Sequence, residues 1–72
     1  MNTEYRELRR LLASYLRHIV RLGEASCLQI MYTLKTSNQI LVMVDYLDKH
    51  LNETQSEEHL CQVAVAISEQ IQ

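Results

Sequence analysis

A chain of 72 residues with no proline and a single glycine, Gly23, lacks the punctuation from which β-turns and hairpins are built. It must fold mainly as helices joined by short connections. Hydrophobic residues make up 47% of the chain and charged residues 22%, a globular balance rather than a disordered one. The length allows one domain, 1–72, close to the lower limit at which a core sustains itself without disulfides, a metal or a partner.

The first segment is the most regular. Tyr5, Leu8, Leu12, Tyr15, Ile19 and Leu22 recur at 3-4-3-4-3, the rhythm of a packed helix, and Leu11, Leu16 and Val20 widen that seam. Arg6, Arg10, Arg17 and Arg21 fall on the opposite face, with Arg9 near them. Asn2 or Thr3 caps the start, Glu4 and Glu7 suit the N-terminal end, and Gly23 occupies the place of a left-handed residue after the last turn. The spacing predicts a helix over about 3–22.

Three hydroxyl residues are followed three places later by Gln or Glu, the pattern of a capping box: Ser26/Gln29, Thr36/Gln39 and Thr54/Glu57. The last lies in the polar stretch 52–56 and predicts a final helix over about 55–71, burying Leu60, Ala64, Ile67 and Ile71, with Val63 beside them. The middle box either breaks the central segment at 36–38 or lies as a polar patch on one helix over about 25–51. Ile30, Leu34, Leu41, Val44 and Leu51 keep one seam across the patch, which favours the continuous helix. A strand over 40–44 would have no partner. The expected fold is therefore all-α, a small antiparallel three-helix hairpin or bundle.

Within the central segment, Gln39–Leu47 reads QILVMVDYL, with five apolar residues in a row. At ~100° per residue these point to every side of a helix, more than two neighbours cover. The run is far short of the ~20 residues that span a bilayer. The excess points to self-association or to docking on another protein, through candidate residues Met31, Tyr32, Ile40, Val42, Met43, Tyr46 and Leu47.

No motif argues for catalysis, a cofactor or a metal. His18, His50 and His59 lack the ligand spacing of a metal site, and HExxH, CxxC, Gly-rich phosphate loops and GxSxG elbows do not occur. Cys27 and Cys61 read as small buried hydrophobes of a cytoplasmic protein, and the polar start shows no secretory signal. Residues 1–22 carry five arginines against Glu4 and Glu7, a balance of +3. Residues 23–72 carry two lysines against seven acids, a balance of −5. That asymmetry suits charge matching with a partner better than a nucleic-acid surface.

The opening amphipathic helix YRELRRLLASYLRHIVRLG, then SCLQIMYTL, QILVMVDYL and HLCQVAVAISEQIQ, resemble in size and layout the small co-chaperones of type III secretion needle subunits, the YscE/PscE/EscE group. The resemblance spans the whole chain but carries no residue-by-residue motif. It implies a non-enzymatic cytoplasmic virulence protein that pairs with a larger helical chaperone and keeps an export substrate soluble. The alternative expectation is a homodimeric helical-bundle regulator that binds nucleic acid through the Arg stripe.

Overall fold

The computed structural model describes residues 3–72. It is all-helical among these residues, with four helices rather than three: α1 (Thr3–Ser14), α2 (Glu24–Thr33), α3 (Ser37–Lys49) and α4 (Glu57–Gln70), α1 being prolonged by a π-helical turn over Tyr15–Ile19. Side-chain bonds tie the start of α2 to the start of α4 and its end to the end of α4, so these two run side by side in one direction. α1 packs along α3 in the same way, and the α1–α2 and α3–α4 contacts close the ring. α1 therefore stands diagonally across from α4, and α2 from α3. The radius of gyration is 11.2 Å, about the ~11 Å expected of a compact chain this long.

The continuous central helix is corrected by the capping box at Thr36. Leu34 (ψ 123°) and Thr36 (φ −116°, ψ 160°) are extended, and the Thr36 hydroxyl accepts a hydrogen bond from Gln39 N at 3.1 Å. Thr36 N in return donates to the Gln39 carboxamide oxygen at 3.2 Å. Satisfying orphan amides at a new N-terminus outweighs the continuity of an apolar seam. The break turns Leu41 and Leu51, two members of that seam, out to solvent.

The other two boxes do not form. Gly23 is the N-cap of α2, which places Ser26 inside its first turn, and α4 is capped by Ser56, whose Oγ accepts from His59 N at 3.0 Å. Nor is Gly23 left-handed, with φ −65° and ψ 160°. The positive φ falls two residues earlier, on Arg21 (φ 65°). The cap expected at Asn2 lies outside the described residues, and Thr3 begins α1.

The π turn explains the end of helix 1. Val20 N donates to Tyr15 O at 2.8 Å, one residue wider than an α-helical bond, and Leu22 N reaches back six residues to Leu16 O at 2.9 Å. The extra residue shifts the phase of everything after it. Ile19, expected in the seam, is 51% exposed, while Val20 turns inward to the core. Leu11 also stands outside the seam, on the surface.

The core joins Leu12 and Leu16 of the first helix to Cys27 and Ile30 of α2, Leu34 of the link, Ile40, Met43, Val44 and Leu47 of α3, and Leu60, Ala64 and Ile67 of α4. The α3 set repeats at i, i+3, i+4 and i+7, and the α4 set matches the face expected of it. One buried polar side chain sits among them. Gln39 accepts from Lys35 N (2.6 Å) and Thr36 N, and its amide group donates to Ile71 O (2.7 Å) and Ser68 O (3.4 Å). It thus fastens the α2–α3 link to the C-terminal end of α4.

Candidate protein-docking surface

The residues expected to form one docking strip are dispersed. Ile40, Met43 and Leu47 are core, because their 3-4 spacing is the face that closes the bundle. Met31 and Tyr46 are half-buried against that core. The Tyr46 hydroxyl donates to Gln55 Oε1 at 2.6 Å, and its ring lies 4.3 Å from that of His50. Tyr32 and Val42 are exposed, but on α2 and α3, which stand at opposite corners. α3 has two neighbours, α1 and α4, which cover Ile40, Met43, Val44 and Leu47 and leave Leu41 and Val42 of the apolar run exposed.

The basic stripe is redrawn too. Arg9 folds back, with Nη1 donating to Tyr5 Oη (3.2 Å) and Met31 O (3.3 Å) and the guanidinium 5.6 Å from the Tyr5 ring centroid. It closes the Met31 carbonyl in the last turn of α2 instead of lying with the other arginines. Arg21 belongs to the left-handed turn. Arg6, Arg10 and Arg17 remain on one face of helix 1, with Arg17 4.0 Å from Glu24. Arg10, Ala13, Ser14, Arg17 and His18 line an open surface trough of about 260 Å³, floored by the two small residues.

Beside that trough runs a row of α2. Glu24, Leu28 and Tyr32 are spaced i, i+4, i+8, and the row borders helix 1 because Glu24 meets Arg17 at one end and Met31 O meets Arg9 at the other. Leu28 is 42% exposed and Tyr32 71%. The α1–α2 face therefore combines three arginines, a shallow trough and two large apolar side chains. Leu28 was absent from the candidates read in sequence. Its i, i+4 spacing from Tyr32 was the available signal, but only the packing of α2 on α1 makes it useful.

A second concavity, about 210 Å³, lies at the pole where the π turn, the end of α3 and the α3–α4 loop converge. Ile19, Val20, Leu47, Leu51 and Leu60 give it an apolar wall, and Glu53, Thr54 and Gln55 a polar rim. His50 ends α3, and its Nδ1 lies 2.7 Å from Glu53 Oε2. Nearby, the Tyr15 hydroxyl donates to Asp48 Oδ1 at 3.1 Å; that bond, with burial and the carboxylate charge, raises the phenol pKa.

Glu57 and Cys27 carry the other shifted pKa values. Glu57 accepts from Ser26 Oγ (2.5 Å) and Gly23 N (3.3 Å), and these bonds lower its pKa. It closes the N-terminus of α2 from the neighbouring helix. Both cysteines are free; burial raises the thiol of Cys27, while Cys61 is half-buried. Among the described residues, no three His, Cys, Asp or Glu side chains are placed to hold a metal ion. No helix among them is long and apolar enough to cross a membrane.

Fold and surface together define a small four-helix protein with a mixed basic and apolar face. No protein family, curated protein or solved structure matches the chain.

Proposed function

We propose that this is a non-enzymatic protein–protein interaction module. One observation carries the reading: the chain closes its own core, yet Leu11, Ile19, Leu28, Tyr32, Leu41, Val42, Leu51 and Val65 remain exposed. Burying a large apolar side chain gains about 1.5–3 kcal/mol. These residues are spread over the surface, but Leu28 and Tyr32 share the α1–α2 face, and covering that pair favours association with a partner. The most concrete form of the reading is a secretion co-chaperone that holds an export substrate soluble together with a larger helical chaperone. Its support is chain length and apolar excess; the four-helix ring differs from the expected hairpin layout.

Two measurements test the reading. Light scattering across a concentration series, followed by co-purification with the products of neighbouring genes, should reveal a defined complex. A monodisperse monomer that retains no partner sinks the interaction reading. A complex that lacks both a secreted needle-type subunit and a helical-repeat chaperone sinks the co-chaperone form alone.

A further inference from the structure

We propose that the α1–α2 face receives an acidic amphipathic helix of a partner protein. Its carboxylates would lie on Arg6, Arg10 and Arg17, and its apolar side chains over Leu28, Tyr32 and the Ala13–Ser14 floor of the trough. The proposal rests on the interaction reading and names the surface and the chemistry of the partner.

Charge supplies the first argument. Among the described residues Arg6 and Arg10 make no ion pair, and Arg17 has one long contact of 4.0 Å with an exposed Glu24. A cationic row whose one counter-charge is the exposed Glu24 selects an anionic partner and speeds encounter with it. Shape supplies the second. At ~1.5 Å rise per residue, Arg6 to Arg17 extends roughly 16 Å, the length of three helical turns. Small residues between Arg10 and Arg17 let another helix approach closely. Composition supplies the third, since arginine and tyrosine beside leucine are the residues that anchor interfaces.

A polyanionic nucleic acid suits the face less well. Leu28 and Tyr32 would be left against phosphates, and the rest of the chain repels a long polyanion through its balance of −5. The α4 of a second copy is acidic and free of Lys and Arg, but Val65 is the one large apolar side chain that helix exposes. Moreover α4 stands diagonally across from α1, so such a contact would be head-to-tail and would not close into a dimer.

The test uses the full chain and a synthetic 18-residue amphipathic helix. The peptide carries Glu at i, i+4 and i+11, the spacing of Arg6, Arg10 and Arg17, beside a leucine stripe. A peptide with Lys for Glu and a 20-base-pair DNA duplex serve as controls. Titration followed by amide chemical shifts and fluorescence anisotropy should give saturable binding of the Glu peptide, with shifts concentrated in α1 and α2. Arg10→Glu with Arg17→Glu, and separately Tyr32→Ala, should each weaken binding about tenfold or more, the scale of an interface hot spot. Val65→Lys should leave affinity within about twofold, as expected of a residue far from the contact. Circular dichroism confirms that each variant is folded.

Results that place the binding elsewhere or assign it to another partner overturn the proposal. They are equal binding of the Lys peptide, shifts confined to α3, α4 or the pole, tighter salt-sensitive binding of the duplex, and self-association abolished by Val65→Lys. Failure to bind the Glu peptide by a chain that still co-purifies with a partner overturns this face alone. A partnerless monomer that binds neither peptide overturns the interaction reading as well.

Discussion

Replacing Gln39 with methionine removes one side chain's polar atoms while preserving its length, and so isolates what that carboxamide does. Gln39 is 5% exposed and makes four hydrogen bonds, two accepted from Lys35 N and Thr36 N and two donated to Ile71 O and Ser68 O. An ordinary hydrogen bond contributes about 0.5–1.5 kcal/mol net, and a buried group left unpaired costs about 1–3. Lys35 is exposed and the Ile71 carbonyl lies near the chain end, so water rescues part of the loss. The expected cost is about 2–3 kcal/mol, a large part of the roughly 4–11 kcal/mol total for a domain this size. The melting temperature should fall by about 10–20 °C. Urea unfolding followed at 222 nm measures the change. Gln39→Glu provides the sign test. It keeps both accepted bonds at neutral pH but presents a carboxylate to two carbonyl oxygens, so it should cost at least as much at pH 7. Protonation restores one donor, so the Glu variant should regain stability relative to wild type on acidification. A methionine variant within about 0.5 kcal/mol of wild type, no more than an ordinary surface substitution costs, would refute the view that Gln39 holds the α2–α3 link to α4.

Other perturbations probe separate features. Arg21→Gly removes a left-handed non-glycine residue and should raise stability by about 0.5–1 kcal/mol, measured as a shift in urea midpoint. Gly23→Ser should be neutral or stabilising, since its φ of −65° suits any residue and serine is a better N-cap; a large loss there would reassign the left-handed position to Gly23. Glu57 has a lowered folded-state pKa, so its contribution is complete above the ordinary value of 4.5 and is lost as pH falls through the folded value. Glu57→Gln should accordingly flatten the decline of stability on the acid side, and an unchanged acid limb would show that the contact with α2 is ineffective. Met43→Ala should cost about 2–5 kcal/mol, whereas Val42→Lys should keep the helical circular dichroism of the native chain. The reverse order would mean that the register of α3 is wrong.

Much of this architecture could be read from spacing. The all-α class, α4 with its buried Leu60–Ala64–Ile67 face, and the inward-facing Tyr5, Leu8, Leu12 and Tyr15 of helix 1 all follow from apolar periodicity. The break at Thr36 was legible in its Thr–Gln pair, but the seam through Leu41 and Leu51 argued against it. Choosing between them requires weighing terminal hydrogen bonds against a stripe that itself exists only if the helix continues. The run at 40–44 has two covering neighbours, α1 and α4: Ile40, Met43 and Val44 go inside and Leu41 and Val42 stay exposed, so which of the five faces water depends on the register of α3. The π turn left no signal, because one extra residue in a turn changes no residue type. At the docking surface, Arg10 and Arg17 were visible as a face, while the diversion of Arg9 to Met31 O and the arrival of Leu28 alongside depend on how α2 crosses helix 1.

The ring of helices interlocks alternate segments of the chain. α1 depends chiefly on α3 and α2 on α4, and the consecutive pair α2–α3 makes little contact of its own. The consecutive pairs α1–α2 and α3–α4 do touch, but each leaves uncovered the larger apolar face that packs on the alternate helix. Each half of the polypeptide waits for the other, and the molecule should assemble in one concerted step. A fragment ending after Lys49 would leave Cys27 and Ile30 uncovered and should remain unfolded. Amide exchange in the intact chain should accordingly show protection of similar depth in all four helices, with no subglobal opening that releases α4 alone.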